Sequence, residues 1–243
     1  MSETTSLDAP ADRLIFDPPV LAVLFDLDET LCRTSVYFLW RILALGIQSL
    51  RQGPMAPIRL LRLLRTFRQV RESFRGTVCV PGLRHVQFEL TAQRLGVPVE
   101  EVDGVVRPLI YENRYEGLAA YCEPSLPSTL RSLKDSGYKL GVLSDYPTQA
   151  KLAGMGLGEF GWDVLLSGDE VEALKPQPTL FQRALTTLKI EPNQALYVGD
   201  RPDTDVEGAR ALGMRSCLVR RWGRTAPQAD LVVSRLSELV RLL

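Results

Sequence analysis

From residue 127 to the C-terminus, short apolar runs rich in β-branched residues alternate with helical segments, and few architectures accept that pattern. The runs are Lys139–Ser144 (KLGVLS), Val164–Ser167, Ala195–Val198, Arg215–Val219 and Leu231–Val233. Helical stretches lie between them at Pro127–Asp135, Thr179–Leu188 and Asp205–Leu212, with a closing helix near Ser237–Leu242. Runs that are apolar at consecutive positions belong to strands buried on both faces. Interleaved with helices, they predict a mostly parallel sheet covered on both sides, a doubly wound α/β fold. The isolated run Leu21–Phe25 (LAVLF) has the same character and predicts one more strand, parted from the others by a long insertion.

That insertion, roughly 33–122, shows helical periodicity and no strand pattern. In Ile58–Arg75 the residues Leu60, Leu63, Leu64, Phe67, Val70 and Phe74 share one helical face, with the arginines opposite or on the flank. Further helices are expected at Leu83–Leu95 and Val99–Tyr115, with Pro108 a kink or break in the latter. The run Val36–Leu50 is too short for a spanning helix of ~20 apolar residues and carries Arg41, so a well-buried helix is expected. The chain thus divides into a polar tail at 1–18, a discontinuous core at 19–32 and 123–243, and a helical insertion at 33–122.

Charge supports the division. Lys+Arg and Asp+Glu balance at 29 each, which argues against a dedicated nucleic-acid partner. Yet Arg33–Arg75 holds nine arginines against Glu72 alone, a local +8 that the rest of the chain offsets. The four cysteines stand far apart, signalling neither a zinc site nor a disulfide framework, and a reducing cytoplasm is the simplest setting. The first residues have no basic start or apolar run, unlike a signal peptide.

Ligands of doubly wound sheets bind beyond the carboxyl ends of the strands, so the residues there are candidates for one site. Leu21–Phe25 runs into Asp26-Leu27-Asp28-Glu29-Thr30; two carboxylates so spaced serve one site, or are loop acids with Asp28 or Thr30 capping a helix. The second run ends at Ser144-Asp145, a hydroxyl and amide position suited to a phosphoryl oxygen. The third is followed by Lys175-Pro176-Gln177-Pro178, and the fourth by Gly199-Asp200 with Asp203 and Asp205 close behind. A calcium loop starting at Asp203 fails because its twelfth position is Met214, where a bidentate Glu is needed. A Mg²⁺ site on Asp26 and Asp200, completed by waters and a substrate phosphate, suits that ion's few-ligand habit.

These segments, FDLDETL at 25–31, VLSD at 142–145, KPQP at 175–178 and VGDRPDTDVEGARALGM at 198–214, resemble in order the four motifs of the haloacid dehalogenase superfamily of phosphohydrolases. The resemblance implies a Rossmann-like core with a helical cap inserted between the first two motifs. It implies an Mg²⁺-dependent phosphatase of a small phosphorylated metabolite, in which Asp26 attacks phosphorus and Asp28 serves as general acid/base. Asp26, Asp28 (through its carbonyl), Asp200 and Asp205 would serve the metal. Ser144, Asp145 and Lys175 would hold the phosphoryl group, and Thr30 would orient the first loop. Haloalkanoate chemistry is disfavoured because those members lack an aspartate at the place of Asp28. Phosphonate cleavage is disfavoured because no lysine precedes Lys134 to act from the cap. A non-catalytic phospho-ligand binder, and a lipid phosphatase touching anionic membrane through the basic helices, are alternatives. The position after Asp28, commonly glycine in the family, is Glu29, a departure that bears on the backbone beside Asp28. The lone His85 reads as a surface or packing residue.

Overall fold

The computed structural model describes residues 16–77, 79–220 and 228–243, so the expected polar tail lies almost wholly outside the described residues. Six strands, β1 (Ala22–Phe25), β2 (Lys139–Ser144), β3 (Val164–Ser167), β4 (Ala195–Gly199), β5 (Arg215–Val219) and β6 (Leu231–Val233), form one sheet. Their order is β3-β2-β1-β4-β5-β6 and every pairing is parallel. The doubly wound expectation holds, with each strand within one residue of its sequence bounds.

β1 lies at the centre because all four of its residues are buried, so it needs cover on both faces and partners on both edges. It pairs with β2 on one side and β4 on the other, Phe25 standing level with both Val142 and Val198. The chain order reverses at this point, which opens a crevice beyond the strand ends. One face packs Val23, Phe25, Val142 and Val198 against Leu130 and Leu133; the other packs Leu24, Leu143 and Tyr197 against Leu180, Phe181 and Ala184.

Four α-helices occupy the insertion: α1 (Thr34–Ser49), α2 (Ala56–Ser73), α3 (Leu83–Leu95) and α4 (Val99–Val106). α4 ends before Pro108, where the chain widens into a π turn at Arg107–Tyr111, since proline donates no N–H to continue the ladder. The remaining α-helices are α5 (Leu126–Asp135), α6 (Gln149–Gly154), α7 (Gly168–Val171), α8 (Pro178–Leu188), α9 (Glu207–Ala211) and α10 (Leu239–Leu242). α6 and α7 are too short to announce themselves by periodicity. The two passes between core and insertion meet where Arg33 N donates to Tyr121 O at 3.0 Å, beside the free thiols of Cys32 and Cys122.

α2 buries Leu63, Phe67, Val70 and Phe74 as its apolar face requires. Two expectations for the insertion need correction. Arg71, expected opposite the apolar face or on its flank, is buried instead: it is 2% exposed, held by Gln87, Asp169 and the Tyr146 ring. The helix expected to be well buried, α1, buries only Thr34 and Tyr37. Its inner residues pack against Tyr115 and Tyr121, but no element among the described residues covers its outer face.

Gly141 in β2 is required by close approach. A Cβ there would stand 2.3 Å from Val164 Cγ1 and 2.8 Å from Leu24 Cδ2, inside the most buried part of the sheet. Gly141→Ala is therefore expected to destabilise by about 2 kcal/mol or more through overpacking. Equilibrium urea denaturation measures it, and an unchanged midpoint would refute the close approach.

Candidate active site

The carboxyl ends of β1, β2 and β4 open into a cavity of about 870 Å³ roofed by α1 and α2. Asp26 continues β1 by one residue: its N–H donates to Val198 O at 2.8 Å, fixing the backbone and aiming the side chain past the strand ends. Lys175, from the loop before α8, places Nζ 2.5 Å from Asp26 Oδ1, 2.7 Å from Asp205 Oδ1 and 3.0 Å from Tyr197 Oη. The Tyr197 hydroxyl in turn donates to Leu143 O at 3.1 Å. The ammonium is thus enclosed by its partners, Lys175 being 3% exposed.

Asp200 follows β4 directly, and Asp205 is carried round by a π turn at Pro202–Val206. Arg201 N–H donates to Asp205 Oδ2 at 3.0 Å. Gly199 makes room for this return, because a Cβ there would lie 2.4 Å from the Asp205 carboxylate. Asp26, Asp200 and Asp205 each offer an oxygen, all within 4.8 Å of one another and all buried.

Three buried carboxylates against one ammonium is an excess of negative charge. Burial pushes the Asp26 carboxyl well above the ordinary carboxylate range; Lys175 opposes this, while Asp205, Asp200 and Asp28 add to it. Burial works against the Lys175 ammonium, but Asp205 and Asp26 hold its pKa well above the ordinary lysine value, so it stays charged. Hard oxygen donors with surplus negative charge fit a divalent cation such as Mg²⁺.

Asp28 is on the same rim but outside this triad. Its carboxylate, 30% exposed, receives two hydrogen bonds from Lys151 Nζ on α6, at 2.5 and 2.7 Å. Ser144 lines the cavity with its hydroxyl, which accepts from Tyr146 N–H at 3.3 Å. Asp145 also lines it, yet its carboxylate is taken up by Arg75 Nη2 at 2.6 Å and by Lys175 N–H at 3.1 Å. Burial would raise the Asp145 carboxyl, but Lys175, Arg75 and Arg71 hold it below its usual range. Thr30 stands apart: it is fully buried and is not among the residues that line the cavity.

Glu29 takes φ 67°, the left-handed conformation that glycine adopts freely and other residues at a cost of roughly 1 kcal/mol. Its side chain explains how the chain tolerates this. Glu29 Oε1 accepts from Ser35 N–H at 2.6 Å and from the Thr34 hydroxyl at 3.3 Å, satisfying the start of α1, which has no N-cap side chain of its own.

Lys151, Tyr197, Arg71 and Arg75 were not singled out from the sequence. Tyr197 carried a signal, since a tyrosine in a fully buried strand needs a partner for its hydroxyl. Arg75 bridges Asp145 and Lys175 O (2.5 Å) to Glu72, tying α2 to two of the strand-end loops.

The acid cluster and the buried lysine thus stand at the switch point of a parallel α/β sheet, where ligands of such sheets bind. The chain belongs to the haloacid dehalogenase-like hydrolase family, whose model matches residues 20–213. It is 29% identical over 208 residues to a glyceraldehyde 3-phosphate phosphatase of Methanopyrus kandleri, covering 83% of this chain and 84% of that one. It is 31% identical over 153 residues to the pyrophosphatase PpaX of Bacillus cereus, covering 60% and 69%. Among solved structures, a HAD phosphatase from Thermococcus onnurineus superposes with a TM-score of 0.65 at 28% identity, covering 90% of this chain and 95% of that one. Among the described residues, no helix is long and apolar enough to cross a membrane.

Proposed function

We propose that the protein is an Mg²⁺-dependent phosphatase that hydrolyses a phosphomonoester through a phosphoryl group carried transiently on Asp26. The observation that carries this reading is the convergence of Asp26, Lys175, Asp200 and Asp205 at one strand-end rim, with Asp28 and Ser144 facing the same cavity. Asp26 is the nucleophile: its backbone is pinned by β4 and its carboxylate held by Lys175, so the attacking oxygen is oriented before substrate arrives. Lys175 and the Ser144 hydroxyl neutralise and position the phosphoryl oxygens. Asp28 donates a proton to the leaving oxygen, then takes one from the water that attacks phosphorus to release Asp26. Lys151 holds the Asp28 carboxylate in place for both transfers. Mg²⁺, on Asp26, the Asp28 carbonyl and Asp200 with Asp205 in support, would shield the charge between carboxylate and phosphate.

The helices of the insertion, residues 33–122, serve as a lid over the cavity that excludes water and selects substrate. Its contribution to the cavity wall is divided: Phe38 and Ile42 of α1, Leu64 and Phe67 of α2, and Leu109 with Ile110 form an apolar part, and Arg68, Arg71, Glu72 and Arg75 a charged one. The apolar part favours a small phosphorylated compound whose alcohol portion has apolar surface.

The test is a phosphomonoester panel on the purified protein with Mg²⁺ or with EDTA. Hydrolysis is expected only with Mg²⁺, with higher kcat/KM for a medium-chain alkyl phosphate than for phosphoglycolate. Inactivity across the panel would overturn the phosphatase reading; a preference for phosphoglycolate would overturn the reading of the wall.

A further inference from the structure

The hairpin of α1 and α2 bears an apolar surface that no part of the described chain covers. Of the eleven large apolar side chains that are exposed among the described residues, eight fall between residues 39 and 61, at 47 to 69% exposure. Leu39, Trp40, Leu43 and Ile47 on α1, with Leu50 after it, share an arc of about 100° at 3.6 residues per turn. Met55 in the connection and Ile58 and Leu61 on α2 continue the surface round the tip of the hairpin. This is more than scattered exposure, and a contiguous apolar patch marks an interaction site.

The charge around the patch selects its partner. Ile58, Leu61, Arg62 and Arg65 share an arc of about 100° on α2, so the basic residues extend the apolar face along the same side. No acidic residue occurs between Glu29 and Glu72, and Arg51, Arg59, Arg62 and Arg65 are exposed, with no ion-pair partner among the described residues. A second copy docking by a twofold axis would press the same unneutralised arginines together. An apolar row with a tryptophan, flanked by arginines and free of acids, matches instead the interface of a lipid bilayer with anionic headgroups.

We infer that the α1–α2 hairpin docks on anionic lipid bilayers, with Ile47, Leu50, Met55 and Ile58 at the acyl boundary and Arg62 and Arg65 against lipid phosphates. The inner faces of the same helices line the cavity through Phe38, Ile42 and Leu64, so docking brings the cavity wall beside the lipid surface. The inference does not rest on the phosphatase reading.

Co-sedimentation with vesicles of phosphatidylcholine, alone or with an equal share of phosphatidylglycerol, tests it. Binding to the anionic vesicles is expected, at least about tenfold tighter than to phosphatidylcholine alone and weakened by added salt. Two double variants, Ile47→Gln with Leu50→Gln and Arg62→Gln with Arg65→Gln, should each weaken that binding by roughly tenfold or more. Thermal melts should match the wild type because all four side chains are exposed. A blue shift of tryptophan emission on binding should vanish in Trp40→Phe. Failure to sediment with anionic vesicles at low salt would overturn the inference. So would wild-type binding by both double variants, or a wild-type dimer that the same variants split, which would make the face a contact between copies. Hydrolysis of a soluble aryl phosphate is expected to be unchanged in the double variants, so loss of membrane binding and loss of catalysis are read separately.

Discussion

Asp26→Asn is expected to abolish phosphomonoester hydrolysis, by at least about a thousandfold, while leaving the fold intact. The amide keeps the shape of the carboxylate and its place at the end of β1, but its oxygen is too weak a nucleophile to take the phosphoryl group. Stability should hold or rise, because the substitution removes one of three crowded acids while Lys175 keeps Asp205 at 2.7 Å. The metal-free protein adds a pH signature. Asp26 binds its proton more tightly in the folded chain than in the unfolded one, burial being the main cause. Stability from this group is present at low pH and is lost as pH rises from the unfolded carboxylate value through the raised folded one. The Asn variant lacks that loss, so the gap in Tm between variant and wild type should widen towards neutral pH and close when Mg²⁺ is added. Full activity in the variant would remove Asp26 from the reaction, whatever else the site does.

The strands were legible because a central parallel strand must be apolar at every position, and β1, β2 and β4 are buried almost without a gap. The acids were legible because each follows a strand end, where the sheet brings distant segments to one rim. What escaped was decided by tertiary pairing. Lys151 is a lysine in a six-residue helix, and nothing near it in sequence discloses that Asp28, 123 positions away, receives its ammonium. Arg71 lies in an arginine-rich helix and Arg75 just beyond its end; the other arginines of the helix are exposed, and the approach of Asp169 and Asp145 sets these two apart. The error over α1 has the same origin. Its hydrophobic residues imply a need for cover, and a sequence does not say whether the fold supplies it.

Lys175→Met should cause the largest loss of stability of any single change at the rim, together with loss of activity. The methionine fills the volume but leaves Asp26, Asp200 and Asp205 within 4.8 Å of one another, with no cation among them. Removing one partner from a buried ion pair costs about 3–5 kcal/mol, since the remaining charge has lost both its solvent and its counterion. In a domain of this size that is a fall in Tm of about 10 °C. The loss should be smaller at acid pH, where Asp26, whose carboxyl burial holds well above the ordinary range, carries a proton and adds no charge to the cluster, and Mg²⁺ should recover part of it at neutral pH by supplying positive charge to the same oxygens. Lys175→Arg should not restore wild-type behaviour. Nζ meets Asp26, Asp205 and the Tyr197 hydroxyl in a pocket that leaves the lysine 3% exposed, and a planar guanidinium does not fit those three directions at once. Differential scanning fluorimetry across pH, with EDTA and with Mg²⁺, measures each of these effects. A Met variant as stable as wild type at neutral pH without metal would mean that the three carboxylates do not depend on Lys175, and the charge balance assigned to the rim would be wrong.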